Sequence, residues 1–300
     1  MVAFVTFTRA AWREVVARLR RDAGLEGAAL PWFRTIHSTA FRVHRLARGA
    51  LMEDADWKRF GNQYGYRFTS ARVLDLDDGP PTLPETTLGD ELRFFHFWAR
   101  NQILTTSEAI ARTSLTHLRP RDIEAFIRHF RMFKKEQNLL DFCDILEQSL
   151  ERGARPPVEV AFIDEAQDLS PLQIALVEKW FEPCTEVHVL GDDDQTKFEF
   201  NGASPEWLRH LAATCPCEVL KHSHRGPRGA HELANLIIRR NTARVPKEYL
   251  PRATEGEVLH LATAKALALI DGNVMSLVLA RNRMFSPDGA EADEEPRRDP

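Results

Sequence analysis

No apolar run in this chain approaches the roughly 20 residues that crossing a bilayer requires. The N-terminal stretch MVAFVTFTRAAW also lacks the order of basic segment, long apolar core and cleavage site that marks a signal peptide. Both absences lead to the expectation of a cytoplasmic protein. Cysteine is scarce, and four cysteines without a secretory signal read as reduced thiols rather than a disulfide framework. Neither sign of charge dominates: a formal net charge of -4 argues neither for nor against a nucleic-acid partner, because binding depends on where Lys and Arg sit. No internal repeat is present. What is there is an ordinary globular composition, 43% hydrophobic over 300 residues, enough for a sizeable core and roughly two domains.

The first forty residues read as strand, helix, strand: AFVTF is short and apolar, RAAWREVVARLRRDAG has helical spacing and ends at Gly24, and FRTIHS is short and β-rich. From about residue 41 to 150 the pattern turns helical, with apolar residues three and four apart in ELRFFHFWARNQIL, RDIEAFIRHFRMFKKEQ and LLDFCDILEQSLERG. Within that stretch LDLDDGPPTLPETTLGD, rich in Pro, Gly and acids, reads as a loop. After RGARPP the α/β rhythm returns as strand VEVAFID, helix PLQIALVEKWF, strand EVHVLGD, helix PEWLRHLAA and strand CEVLKH. Apolar strands alternating with helices imply a parallel sheet covered on both faces. GAHELANLIIRRN, GEVLHLA and MSLVLARN suggest a second α/β unit beginning, and the polar tail SPDGAEADEEPRRDP reads as disordered.

In a parallel sheet, ligands gather outside the carboxyl ends of the strands. Asp164 and Glu165 would stand there after VEVAFI, and Asp192 to Gln195 after EVHVL. One carboxylate in such a crevice can hold Mg²⁺, and a neighbouring one can orient and deprotonate a water that attacks a phosphate. The plain alternative is that these acids cap the next helix. Ser170 before Pro171 already fills the N-cap and first-turn positions, so the earlier acids need another reason. Cys215, Cys217, His222 and His224 are zinc-ligand types close in sequence, but the C-x₂₋₄-C spacing is not met and a strand over 217 to 221 would separate the pairs.

FIDEAQDLSPLQ and LGDDDQTKFEFNGA closely resemble the Walker B segment and the following motif of UvrD/Rep-type superfamily 1 DNA helicases. Further matches follow in order: VTFTRAAWREVVARL resembles the TFT-x-x-AA motif, RTIHSTAFR the T-x-HS motif, LLDFCDIL the DF-x-DL segment, and LKHSHRGPRGAHELANLIIRRNTARVPKEYL the QNYRS motif with its trailing N-x-x-R-x-x-K. With MSLVLARN they span most of residues 3 to 283. The resemblance implies a RecA-like P-loop NTPase parallel sheet with a helical insertion and the start of a second RecA-like domain. The expected boundaries are 1–40 with 151–220 for the first RecA-like domain, 41–150 for the insertion, 221–285 for the second domain and 286–300 for the tail. It implies ATP and Mg²⁺ as cofactors, Asp164 as the Mg²⁺ ligand, Glu165 as the base, Gln195 as a γ-phosphate sensor, and Arg225 as the guanidinium reaching that phosphate from the second domain. Phe7, Thr35, His37, Phe198 and Phe200 match positions that line or border the single-strand track, where aromatic faces stack on bases without reading sequence. Taken alone, each Phe fits a core position equally well.

The sequence also departs from the family. A phosphate-cradling loop needs a glycine-rich turn followed by Lys and Ser or Thr, yet none of the 15 glycines precedes a lysine. The resemblance therefore implies a chain that begins after its own Walker A and stops before the last motifs. Phe200 stands where many members carry Trp, Asn201 where many carry Arg, and HSHR replaces NYR. Asn201 removes a positive charge and weakens the expected grip on DNA. Two readings follow: a truncated or split ATP-dependent helicase acting on single-stranded DNA and duplex junctions, generally 3′ to 5′, or a non-catalytic single-strand-binding or adaptor protein on the same scaffold. A second chain supplying the phosphate loop, or coding sequence ahead of Met1 that carries it, would complete the first. Loss of a strand and its helix would also leave apolar sheet faces exposed and prone to association.

Overall fold

The computed structural model describes residues 1–25, 27–46, 48–69, 87–113, 115, 117–199 and 202–270. Of the loop expected in LDLDDGPPTLPETTLGD, residues 74–86 fall outside these residues, as do Phe200, Asn201, MSLVLARN and the tail, while its last three residues, Leu88 to Asp90, are helical rather than loop because Thr87 caps a helix that starts there. The chain divides into two compact units, Met1–Cys217 and Glu218–Pro300.

The first unit opens with β1 (Val2–Thr6), α1 (Arg9–Ala23), β2 (Phe33–Thr35) and α2 (Ile36–Val43). Helix α1 starts where the Thr8 side chain accepts from the amide of Ala11 and stops at Gly24, which takes the left-handed conformation at φ 65°. The strand expected in FRTIHS is shorter than its β-rich composition suggests. Thr35 is already the N-cap of α2, its hydroxyl accepting from Ser38 N, so Ile36, His37 and Ser38 are helical.

After α2, the described residues before the third strand form α3 (Asp54–Tyr64), α4 (Leu88–Asn101), α5 (Thr106–Arg112), α6 (Pro120–Gln137) and α7 (Phe142–Arg152). Aromatic rings form their interior, with Phe60, Phe126, Phe130 and Phe133 at most 1% exposed. A buried guanidinium, Arg93, sits over both Trp57 and Phe68 at 5.0 Å and pairs with Asp90 at 3.1 Å. Near the base of α7, Arg100 binds Asp141, Asp144 and Glu147 at 2.8, 2.7 and 2.6 Å, and Lys134 reaches Asp141 and Asp144 from α6. Asp141 is also the N-cap of α7. The LLDFCDIL segment thereby locks α4, α6 and α7 together, because a buried carboxylate stays ionised only when its partners satisfy it.

The α/β rhythm resumes with β3 (Val160–Ile163), α8 (Pro171–Phe181), β4 (Glu186–Val189) and α9 (Glu206–Thr214). Ser170 caps α8 in a reciprocal box with Gln173, and Pro171 stands in its first turn. The four strands are parallel in the order β2-β1-β3-β4. One face, with Ala3, Val5, Ala161 and Ile163, is at most 2% exposed. The expectation of cover on both faces fails toward β4, where Glu186, Val187 and His188 are exposed and β3 is the only paired neighbour among the described residues.

In the second unit α10 (Arg228–Ile238) and α11 (Thr263–Leu267) are the helices among the described residues. The strands expected in CEVLKH and GEVLHLA do not form there. An isolated bridge joins His222 to Leu250, Leu220 is 75% exposed, and apolar residues without a ladder partner do not make a strand.

Candidate functional site

Because all four strands run the same way, their carboxyl ends share one edge of the sheet. Phe7 follows β1, Thr35 ends β2, Asp164 follows β3, and Gly191 to Gln195 follow β4. Topology alone thus brings together residues from four separate stretches of sequence.

Asp164 extends the ladder, its amide donating to Val5 O at 2.9 Å, and the chain then turns sharply. Glu165 takes that turn in the left-handed conformation, φ 54° and ψ 42°, uncommon for a residue with a side chain and costing of order 1 kcal/mol. Its carboxylate Oε2 accepts from Gln167 Nε2 at 2.7 Å. Gln167, only 1% exposed, uses its other amide atom, Oε1, to accept from Asp192 N at 3.1 Å. Asp192 Oδ2 in turn accepts from Gln195 Nε2 at 2.5 Å. Glu165 and Gln195, thirty residues apart, are therefore the two ends of one hydrogen-bonded chain. Burial, and then the charge of Glu165, raise the pKa of the Asp164 carboxyl, so a cation there would favour its ionised form.

Gln167 and Asp168 are residues that the motif reading passed over. Asp168 is 4% exposed and accepts from Lys197 N at 2.9 Å, while burial pushes its pKa upward. Gln167 leaves so little room that a Cβ on Gly191 would fall 2.6 Å from its Oε1. The sequence signal was the completeness of the DEAQD string: a buried polar side chain must be hydrogen-bonded, so Gln and Asp beside apolar positions call for named partners.

Phe7 and Phe198 meet, their ring centroids 4.7 Å apart, and both are buried, at 8% and 7% exposed. They are packed into the core as they stand, beside the exposed Lys197. Half-buried His37 lies edge-on to Phe142 at 5.2 Å. Burial, with Arg9 nearby, lowers its pKa to about 4, so its ring is neutral at pH 7. Arg225 is exposed in the second unit, where its amide donates to Ser223 Oγ at 3.4 Å. Phe200 lies outside the described residues. Among the described residues, the metal-ligand types that gather are Asp192, Asp193 and Asp194, with ligand atoms within 4.8 Å of one another. Cys215 and Cys217 are exposed free thiols. An all-oxygen donor set suits Mg²⁺ rather than a thiophilic ion.

The sequence model of the UvrD/REP helicase N-terminal domain matches residues 1–216. The chain belongs to the UvrD/REP helicase family. The matched stretch ends within one residue of the first compact unit's boundary at Cys217. The chain is 26% identical over 267 residues to the ATP-dependent DNA helicase UvrD2 of Mycobacterium tuberculosis, covering 81% of this chain and 37% of that protein. It is 22% identical over 281 residues to the ATP-dependent DNA helicase PcrA of Staphylococcus aureus, covering 86% of this chain and 36% of the relative. It thus spans little more than a third of the length of these relatives. No helix among the described residues is long and apolar enough to cross a membrane.

Proposed function

We propose that this chain carries the water-activating and strand-binding parts of an ATP-dependent DNA helicase of the UvrD/Rep type. The observation that supports it best is the hydrogen-bonded chain from Glu165 through Gln167 and Asp192 to Gln195, at the sheet edge where Asp164 also stands. In this reading Asp164 holds Mg²⁺ and Glu165 orients and deprotonates the attacking water. Mg²⁺ would neutralise charge on the phosphates. Gln195, bonded here to Asp192, would turn its amide toward the γ-phosphate when nucleotide is bound and so release the Asp192 end of the hydrogen-bonded chain that leads to Glu165. Arg225 is, by family resemblance alone, the guanidinium proposed to offer a fork of donors to a phosphate. Single-stranded DNA runs along the carboxyl edge past Thr35, His37 and Lys197 and above the Phe7–Phe198 pair, Phe200 being retained only as a stacking residue by family resemblance, and translocation runs 3′ to 5′ toward duplex junctions. Thr35 accepts one bond as a helix cap and keeps its hydroxyl proton for a phosphate oxygen.

These 300 residues hold no Gly-Lys pair, so the phosphate-binding loop comes from outside them, from a second chain or from further sequence. A segment of that kind has a place to pair along the exposed edge strand β4. The same missing pair favours a second reading, a single-strand-binding protein without turnover.

Phosphate release from ATP and Mg²⁺, stimulated by single-stranded DNA, separates the two. Release that Glu165→Gln lowers by roughly a hundredfold or more supports the enzyme. Release that the substitution leaves unchanged refutes Glu165 as the base. Strand binding without release from either protein, even when a polypeptide carrying the phosphate loop is supplied, favours the second reading.

A further inference from the structure

Three backbone groups that follow Gly191 are held by side chains from elsewhere in the first unit. Asp192 N donates to Gln167, Lys197 N donates to Asp168 at 2.9 Å, and the carbonyl of Gly202 accepts from Gln102 Nε2 at 2.8 Å. The last contact comes from a different layer of the molecule, since Gln102 is the C-cap of α4. It then propagates: Gly202 N donates to Glu199 O at 2.9 Å and Ala203 N to Phe198 O at 3.1 Å. An unbroken run of hydrogen bonds thus leads from the end of α4 to the backbone of Phe198.

Two backbone features favour this contact over a chance surface bond. Gly202 has φ 91°, and a Cβ there would fall 1.7 Å from Gln102 Nε2, so the glycine supplies both the conformation and the room. On the other side, Ile103 takes a left-handed φ of 54°, which a β-branched residue rarely adopts, and ends α4 as glycine or asparagine usually would. The turn that follows Gln102 is therefore made at a backbone cost.

We propose that Gln102 is a positioning residue for strand binding. From the helices between β2 and β3 it holds the Gly202–Ala203 peptide group, whose N–H donates to Phe198 O, and so sets how tightly this edge holds single-stranded DNA. The inference rests on the strand-binding reading above. Gln102 touches neither the nucleotide nor the strand; it acts through Gly202.

The test uses Gln102→Glu, which keeps the shape and sets a carboxylate against the Gly202 carbonyl, and Gln102→Met, which keeps the volume and lacks the donor. Two quantities are read on the 300-residue chain: amide hydrogen exchange at Gly202 and Ala203, and anisotropy of labelled oligo(dT) at one fixed salt concentration. Both variants are expected to exchange faster at these amides while the amides of α8 stay protected. Oligo(dT) affinity is expected to fall about five- to tenfold, the size of one lost hydrogen bond. Unchanged exchange would show that the clamp does not exist. Faster exchange with wild-type affinity reduces Gln102 to a structural contact and overturns the proposal. If the wild-type chain fails to bind oligo(dT), the strand-binding reading falls and the proposal with it, while the exchange data still report on the clamp separately.

Discussion

Single atoms decide most of what this sheet edge can do. Gln167 is the pivot: its two amide atoms join Glu165 to Asp192, and its buried position leaves it no water with which to replace either bond. Gly191 is the companion requirement, since an added Cβ would meet Gln167 Oε1 at 2.6 Å and Leu208 Cδ2 at 2.9 Å. Gly191→Ala is thus expected to destabilise the protein by about 1–3 kcal/mol, the usual cost of overpacking, in urea unfolding. A Gln167→Ala background should absorb much of that cost because the clashing amide is gone, giving a clear non-additive double-mutant cycle. Strictly additive effects would mean that Gly191 does not accommodate Gln167. The motif string showed that Gln167 and Asp168 are polar and need partners, but not which ones, because Asp192 and Lys197 lie 25 and 29 residues away in sequence.

Among the elements, legibility followed how local the determining force is. Helices α1, α6, α7 and α8 stand where spacing puts them, because the forces that start and stop them act within a single turn, whereas α4 starts three residues before ELRFFHFWARNQIL, where a Thr87–Asp90 capping box precedes the apolar run. The strand expected over CEVLKH failed because a strand needs a neighbour that composition does not reveal. The α4–α6 contact also carries a pH prediction. His96, on α4, is 4% exposed, with an Nε2 that has no partner, and burial, with Arg100 next, lowers its pKa to about 3. With His37 lowered to about 4, both rings bind protons more weakly folded than unfolded. Their contribution is fully present above the unfolded value near 6.5 and is lost as pH falls toward 4, with a slope up to about 1.4 kcal/mol per pH unit for each histidine. Asp164 and Asp168, whose pKa values are raised, act in the opposite direction and offset part of it. Urea midpoints measured between pH 7 and 4 should decline, and His96→Leu should flatten the decline whatever it does to stability at pH 7. An unaltered slope would mean that His96 is not held neutral.

Across the whole molecule, burial is concentrated in one unit. Among the described residues none after Pro205 is buried, whereas the first unit encloses the aromatic interior and one face of the sheet. In the second unit Leu233, Leu236 and Ile237 share one face of α10 through their three- and four-residue spacing, and they are 46%, 65% and 57% exposed. A contiguous apolar stripe on a helix that buries nothing is a surface for association, because removing it from water yields roughly 25 cal/mol per Å². The 300-residue chain should therefore self-associate as concentration rises in sedimentation velocity, and Leu236→Glu with Ile237→Lys should shift it toward monomer without altering the unfolding of the first unit. A wild-type chain that stays monomeric across that range would show that the stripe is covered in solution. Self-association unaffected by the double substitution would place the contact elsewhere, and the exposed β4 edge, with Val187 43% and Leu190 37% exposed, is the next surface to change.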